Sequence, residues 1–311
     1  MSVLNENQLI GASGNQGEYE IKQSCRFNYA DSPYLVKTSL SGGNQRTWTF
    51  STWIKHSHLG TYQVFFDGGT GSGGGDQAWL HFQDTDQLEF ASKTSGSFVS
   101  RLVTSAVYRD PAAWMHILLV ANTPDGTAAD RVKLFVNGVR VTAFHTQINP
   151  SQNAVLRMNE NQHHIGRYGY TTGWYLNGYM AETHFISGQA LTPTSFGETD
   201  NDYGHWKPKA YTAGNYGTGG FYLDFSNSGA LGTDSSGNGN NFTVSGLAAA
   251  DQMTDTPTNN VATWNPLFFR TTGATAGDKL VYSEGSTKVE ASNNRVGHTC
   301  STMMSSGKHY A

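Results

Sequence analysis

From residue 24 onward, this sequence alternates apolar and polar residues with a period of two, and no other feature constrains its fold as strongly. The clearest stretches are SCRFNYADSPYLVKT (24–38) and RTWTFSTWIKHS (46–57). Successive side chains of a β-strand point to opposite faces, so both stretches are typical of half-buried strands. In the second stretch, Trp53 shares a face with Ser51, opposite Trp48 and Phe50. We therefore expect a strand that is covered on both faces.

Turn residues divide the chain into short strands. Asp84-Thr85-Asp86 separates DQAWLHFQ from QLEFAS, and DRVKLFVNGVRVTAF contains Asn137-Gly138, which suits a type I′ hairpin turn. The apolar run AAWMHILLVAN (112–122) indicates a central strand, and the only helix candidate, LTPTSFGE (191–198), is one turn long. Strands that recur about every 10 to 15 residues, with turns between them, predict an all-β sandwich or jelly roll.

The composition argues against several classes of protein. Glycine is abundant at 36 residues and only 14% of residues are charged, which fits short strands and turns better than long surface helices. The net charge of -4, with no Lys/Arg cluster, predicts no nucleic-acid partner. No apolar stretch approaches the roughly 18 residues of a membrane helix, and the first residues do not resemble a secretion signal. Cys25 and Cys300 are too few for a disulfide framework, which favours unpaired thiols and assembly in a reducing cytoplasm.

Composition shifts predict four segments. Residues 1–22 are polar and read either as a frayed terminus or as a docking arm that orders against a neighbouring protein. Residues 23–246 form the predicted sandwich, and residues 247–277 are expected to be a linker. Residues 278–311 begin new strands, and the pattern stops just after Tyr310. We expect the natural polypeptide to continue beyond Ala311.

Several motifs resemble a known family. Trp114, His116, Asp130 and LFVNG (134–138), with HHIG (163–166) and YLNGYMAE (175–182), are similar to the laminin-G-like, concanavalin-A-like sandwich proteins. More specifically, the chain resembles a group of phage proteins, often from marine phages, in which this sandwich precedes a SPRY-like module. The segments that carry this second resemblance are SCRFNYADSPYL, GHWKPKAYTAGNYGTGGFYLDFSN, GTDSSGNGNNFTVSGL and DTPTNN. The resemblance implies a concanavalin-A-like jelly roll, an opening SPRY-like module after residue 278, and a place in a virion.

No set of residues predicts catalysis. Glycoside hydrolases on this kind of sandwich need two carboxylates that face a groove. Glu198, Asp200 and Asp202 have alternate spacing, but Thr199 and Asn201 lack the apolar character that would bury such a strand, so a solvated loop is favoured. His163 and His164 are adjacent in a predicted strand and point to opposite faces, so they cannot share one metal ion. We expect a protein that is not an enzyme.

Aromatic loops are the better functional candidates. Flat aromatic rings stack on the apolar faces of sugars. The predicted ligand-binding residues are Tyr168, Tyr170, Trp174 and Tyr175, which alternatively pack on one another or on a neighbouring subunit. For a second loop we favour packing; its aromatic residues are Tyr203, Trp206, Tyr211 and Tyr216.

One loop offers oxygen ligands for calcium, the only cofactor that the sequence suggests. These oxygens belong to Asp234, Ser235, Asn238, Asn240 and Asn241. Ordinary turn chemistry explains the same residues without a metal.

The resemblance, together with the aromatic loops, implies a virion structural protein, either a tail fibre or a surface adhesin, that displays a lectin-like domain for attachment to host-surface glycan. Residues 1–22 would contact other virion proteins, and a homo-oligomer such as a trimer would be assembled in the host cytoplasm. The alternative is a purely architectural capsid-decoration or tail-joining protein with no ligand of its own.

Overall fold

The computed structural model describes residues 19–38, 43–69, 75–160, 162–170, 173–261, 264–271, 280–283, 285–286, 288–291 and 296–300. Within these ranges, two eight-stranded antiparallel sheets form a sandwich. The first sheet has the spatial order β10 (Val139–Arg140), β9 (Val132–Val136), β8 (Trp114–Asn122), β3 (Thr47–His56), β13 (Gly178–Ser187), β1 (Ser24–Phe27) and β18 (Gln252–Met253), and β16 (Phe221–Leu223) also pairs with β13.

The second sheet carries the candidate site on its outer face. Its spatial order is β11 (Phe144–Ile148), β7 (Ser97–Val107), β6 (Gln87–Thr94), β5 (Gln77–Phe82), β4 (Gln63–Gly69), β12 (Gln162–Ile165), β2 (Tyr34–Thr38) and β17 (Thr243–Ser245). Helical structure in the described ranges is limited to 3-10 turns of three residues, including Pro193–Ser195 within the predicted one-turn segment. The prediction of an all-β sandwich of antiparallel sheets is confirmed.

The alternating pattern places large side chains on both faces of β3, as predicted. Trp48, Phe50 and Ile54 belong to the core between the sheets, whereas Trp53 packs on the outer face with Trp114 and Tyr179. The register against β13 shifts between Ala181 and His184, and Glu182 within this bulge has φ +47°. The bulge turns the following side chains of β13, including His184, toward the outer face.

Turn chemistry also follows the sequence. Asn137 and Gly138 have φ of +48° and +77°, the left-handed pair that a type I′ turn requires between β9 and β10. Asp86 has φ +62° in the turn between β5 and β6. The apolar run 114–122 forms β8, which lies between β9 and β3 as a central strand.

Segments that are distant in sequence cover the outer face of the first sheet. Ile21 is 2% exposed and packs with Trp53 and Trp114, and the 191–211 segment places Phe196 and Tyr211 against Leu118. Residues 1–18 of the predicted arm lie outside the described residues. Its last residues are therefore held by the sandwich itself.

The first half of the predicted linker packs on the same sheet. Gln252–Met253 pairs with β1, and the carboxylate of Asp255, 3% exposed, accepts hydrogen bonds from Lys55 Nζ at 3.0 Å and from Trp114 Nε1 at 2.9 Å. We call residues 254–261 the clasp. Further hydrogen bonds join Ile21 to Thr258 and Ser24 to Asp255, so the clasp connects β1, β3 and β8.

Among the described residues, three antiparallel strand pairs lie outside the two large sheets, and in the first of them β14 (Gly197–Thr199) pairs with β15 (Trp206–Pro208). β19 (Trp264–Thr271) pairs with β22 (Val296–Cys300), and β20 (Leu280–Ser283) pairs with β21 (Lys288–Ala291). The division into four segments and the SPRY-like nature of residues 278–311 stay predictions, and residues 301–311 lie outside the described ones. The Cys25 thiol is free and buried, and the side chain of Cys300 is not described. In the described part of the chain, no helix has the length and apolarity to cross a membrane.

Candidate functional site

Stacked aromatic rings cross the outer face of the second sheet. Trp174 stacks on Tyr62 with ring centres 4.7 Å apart, and on its other side it stacks on Tyr168 at 4.9 Å. Tyr168 contacts Tyr170 edge-on at 6.2 Å and Trp79 at 5.8 Å. We call these five rings the aromatic strip. Trp174 is 37% exposed and Tyr170 is 48% exposed, so the strip presents flat apolar surface to solvent.

The backbone and polar contacts fix the strip in place. Trp174 has φ +53°, and its carbonyl accepts a hydrogen bond from the backbone N–H of Val64 at 2.9 Å. The Tyr168 hydroxyl donates to Gln77 Oε1 on β5. Burial, followed by the nearby charge of Asp67, raises the pKa of Tyr168, so this hydroxyl stays a donor. A fixed platform loses little conformational entropy on binding.

Two buried nitrogen atoms, one in the strip and one beside it, have no hydrogen-bond partner in the described structure. They are Nε1 of Trp79, on a side chain 7% exposed, and Nδ1 of His81, on one that is 2% exposed. Both residues lie on β5, and the His81 ring is 5.7 Å from that of Trp174. Buried polar atoms are normally satisfied, so these two give the strip unused hydrogen-bonding capacity.

An ionised carboxylate organises the charges near the strip. Burial alone would raise the pKa of Glu89, but hydrogen bonds from His81 and Arg101 lower it to about 2. Arg101 donates to both carboxylate oxygens, at 3.0 and 3.3 Å, and Gln83 donates to Oε2. Because the carboxylate only accepts, His81 must present its Nε2–H to Glu89 at 3.4 Å. Its Nδ1 then faces away from Glu89.

The structure brings together three of the four predicted ligand-binding residues. Tyr168, Tyr170 and Trp174 belong to the strip, whereas Tyr175 makes its ring contact with Tyr29 at 6.2 Å. Sequence reasoning missed Tyr62 and Trp79. The alternation of β5 indicated that Trp79 faces away from the core, and this signal could have found it.

The aromatic residues of the second loop are mostly packed. Trp206 stacks on His116 at 6.1 Å, and Tyr211 and Tyr216 contact His184 at 5.9 and 6.0 Å. Tyr203 is 83% exposed. Packing is therefore the role of three of these four rings.

A buried carboxylate anchors the end of the N-terminal arm. Glu182 accepts hydrogen bonds from the hydroxyls of Tyr19 at 2.8 Å and Tyr222 at 2.6 Å, and its Oε2 lies 3.3 Å from His184 Nε2. Burial would raise the pKa of Glu182, but these hydrogen bonds lower it, so the group is ionised. The cleft above it is also lined by Trp53 and does not admit a water-sized molecule.

The Ser51 hydroxyl and the His116 ring form a pair that cannot act as nucleophile and base. They are 2.8 Å apart, but His116 Nδ1 accepts a hydrogen bond from the Trp206 indole N–H at 3.2 Å. An indole N–H only donates, so His116 carries its proton on Nε2 and donates it to Ser51. Burial lowers the pKa of His116 to about 3, which keeps the ring neutral.

The carboxylates with alternate spacing, Glu198, Asp200 and Asp202, also lack catalytic geometry. Asp200 caps a turn by accepting the backbone N–H groups of Asp202 and Tyr203 at 2.9 and 2.8 Å, and it pairs with Lys207 at 3.2 Å. Glu198 has a side chain that is 49% exposed, 3.9 Å from Lys207 and from Lys209. This series gives no positive support for glycoside hydrolysis.

His163 and His164 point to opposite faces of β12, as predicted. The Nε2 atom of His163 lies 2.7 Å from the Met158 carbonyl, within the core. His164 lies on the outer face, 3.2 Å from Asp67, and burial raises the pKa of that carboxyl against the pull of the His164 contact.

The predicted calcium loop is a turn held by its own polar groups. Asp234 accepts the backbone N–H groups of Tyr222, Ser236 and Asn240 at 2.7–2.9 Å. The Asn238 and Asn240 amides donate to the Gly220 carbonyl. No group of three or more His, Cys, Asp or Glu side chains that could hold a metal occurs in the described ranges.

The calcium site stays a prediction that thermal unfolding can test. A melting temperature that rises with calcium in the unmodified chain, but not in Asp234→Asn, would support it. Equal melting temperatures with calcium and with a chelator would contradict it.

Comparison with known proteins bears on the fold. Residues 29–195, more than half of the chain, match the family described as the concanavalin A-like lectin/glucanases superfamily. The fold is similar to a heptameric SAP-like pentraxin from Limulus polyphemus (15% identity over 56% of this chain and 80% of that chain, TM-score 0.42). It is also similar to a proposed carbohydrate-binding protein from Bacteroides ovatus (19% identity over 74% of this chain and 61% of that chain, TM-score 0.47). A third similar structure is that of mouse laminin α1 domains LG4-5 (14% identity over 68% of this chain and 50% of that chain, TM-score 0.38).

These similarities concern the fold and assign no residue role. This chain spans less than two thirds of the Bacteroides and laminin structures. No curated protein matches its sequence.

Proposed function

Because the chain belongs to the concanavalin A-like lectin/glucanase superfamily, we propose that its sandwich binds glycan through the aromatic strip. The observation that carries this proposal is that Trp174 and Tyr170 stay exposed although stacking and backbone hydrogen bonds hold the strip in place. Sugar rings have apolar C–H faces that stack on such rings, and surrounding polar groups orient the hydroxyls.

The finer proposal is a phage virion structural protein, a tail fibre or surface adhesin, that attaches to host-surface glycan. It is supported by the phage-like sequence segments, among them DTPTNN at 255–260. Residues 1–22 would contact other virion proteins. In a homo-oligomer such as a trimer, weak sites gain strength because attachment of one copy raises the effective concentration of the next.

A binding assay on glycan arrays and on whole host cells tests the proposal. We expect Trp174→Ala to weaken glycan binding at least about tenfold, because it removes the central stacked ring, and a loss of about 1.4 kcal/mol is tenfold in affinity. Tyr203→Ala is the matched control, since it removes an aromatic ring that is 83% exposed but lies outside the strip.

The outcomes separate the two candidate functions. Binding that falls in Trp174→Ala and not in Tyr203→Ala supports the adhesin and its site. If multivalent protein binds neither glycans nor cells, the proposal fails and the architectural role replaces it. Equal losses in both variants would contradict the assignment of the site.

A further inference from the structure

Two cationic side chains flank one end of the aromatic strip. Lys93 Nζ on β6 lies 5.5 Å from the centre of the Trp79 ring and 4.5 Å from that of Phe98. The Arg101 guanidinium on β7 lies 4.9 Å from the same Phe98 ring. Both cations are partly exposed, so an anionic group can approach them from solvent.

Only one of the two positive charges is neutralised by a neighbouring carboxylate. Arg101 is neutralised by two hydrogen bonds to the buried carboxylate of Glu89. Lys93 contacts two aromatic rings and pairs with no carboxylate among the residues that the structure describes. The ammonium group of Lys93 is therefore the one of the two that remains available to an anion.

The indole N–H beside Lys93 has no hydrogen-bond acceptor among the described residues. Trp79 Nε1 is buried without an acceptor, on the same ring whose centre lies 5.5 Å from the ammonium nitrogen. An anionic oxygen that entered between the two groups would accept this hydrogen bond and also neutralise Lys93. A neutral hydroxyl would accept the hydrogen bond but would leave the charge of Lys93 unneutralised.

We infer that the strip selects acidic saccharides, bearing a carboxylate or a sulfate group, and that Lys93 is the specificity-determining residue with Trp79 as an uncharged donor. This inference rests on the proposed glycan-binding function. It goes further because it names the chemical class of the ligand and the residue that distinguishes acidic from neutral sugars.

Three polymers with one backbone test the inference: dextran, carboxymethyl-dextran and dextran sulfate, each immobilised and probed with the full chain at about physiological ionic strength. We expect at least one charged polymer to bind about tenfold more tightly than dextran. Lys93→Gln should remove that advantage, while binding of neutral glycans stays within about twofold. The carboxymethyl and sulfate arms show which anion is preferred.

Matched variants separate a specific contact from general electrostatic attraction. Lys133→Gln also removes one positive charge, but from β9 in the first sheet. It should leave the preference for the charged polymer over dextran unchanged. Trp79→Phe keeps an aromatic ring but removes the N–H, and should weaken binding of the charged polymer about fivefold. Circular dichroism of each variant confirms that it is folded.

The possible failures are distinguishable. Equal binding of the three dextrans, or equal losses in Lys93→Gln and Lys133→Gln, overturns the inference and leaves glycan binding intact. If no dextran binds, neutral glycans on the array are compared with their carboxylated or sulfated counterparts, and binding confined to neutral members overturns it. No binding to any glycan overturns the proposed function as well.

Discussion

Replacing Asp255 with asparagine should lower the free energy of unfolding by about 3–5 kcal/mol, the usual cost of removing one partner of a buried ion pair. Lys55 is fully buried, and its Nζ lies 3.0 Å from the Asp255 carboxylate. The other carboxylate oxygen accepts hydrogen bonds from Trp114 Nε1 and the Val261 backbone. Asparagine keeps the shape of the side chain but leaves the Lys55 charge uncompensated. Urea unfolding followed by tryptophan fluorescence measures the change.

The pH dependence of this variant distinguishes a lost charge from a general packing defect. Burial lowers the pKa of Lys55, and the charge of Asp255 opposes that shift. Without Asp255 the pKa of Lys55 falls further below its unfolded value, so the unfolded state binds more protons and stability rises with pH up to about 10.4. We expect the deficit relative to the unmodified chain to be smaller near about pH 9.5 than near about pH 7.

An exposed ion pair provides the control. Asp130 and Arg140 are 2.7 Å apart, with side chains 33% and 38% exposed. Asp130→Asn should cost less than about 1 kcal/mol, because solvent screens such a pair. If Asp255→Asn costs no more than this control, the clasp does not stabilise the sandwich.

The clasp illustrates a limit of sequence reasoning. The segment 247–277 has the composition of a linker, and nothing local in it predicts that Asp255 accepts hydrogen bonds from Lys55 and Trp114. These contacts join residues about 140 and 200 positions apart. The sandwich itself was predictable because period-two alternation and turns such as Asn137-Gly138 are local features that tertiary packing left unchanged.

The aromatic strip was predictable only in part for the same reason. Tyr168, Tyr170 and Trp174 attract notice because they are close together in one loop. Tyr62 and Trp79 join them from a different loop and from β5, so their contacts with Trp174 and Tyr168 arise only in the folded chain. Nothing in the sequence around Lys93 marks it as a candidate binding residue. Its proximity to Trp79 depends on the pairing of β5 with β6.

The domain should lose most of its stability between about pH 6.5 and pH 4, the interval between the unfolded pKa of histidine and its value in this core. His56, His116 and His163 are fully buried. Burial lowers their pKa values to about 4, about 3 and about 3. His163 is surrounded by Phe66, Phe185 and Phe221, which offer a charged imidazole no solvation.

The direction in which stability changes with pH follows from proton binding. Below about pH 6.5 the unfolded chain protonates these three histidines while the folded chain keeps them neutral, so stability falls as pH falls. Each histidine lowers the free energy of unfolding by up to about 1.4 kcal/mol for every pH unit, so the three together lower it by about 4 kcal/mol per pH unit. The total stability of a domain is typically only about 5–15 kcal/mol. Asp67, whose pKa burial raises, acts in the opposite direction but is a single group. Glu89, with a pKa lowered to about 2, loses its contribution only at lower pH.

Urea unfolding at several pH values measures this slope, and the uptake of about three protons on unfolding near about pH 5 gives an independent count. His163→Gln keeps a donor for the Met158 carbonyl and removes one titrating group, so the slope should fall by about one third. His145→Gln, at an exposed position on β11, should leave the slope unchanged. A slope that is the same in all three proteins would mean that His163 does not carry the acid sensitivity. His163 belongs to β12 of the sheet that carries the aromatic strip, and its side chain is buried among phenylalanines, so acid unfolding that begins with its protonation would remove the strip together with the core of the sandwich.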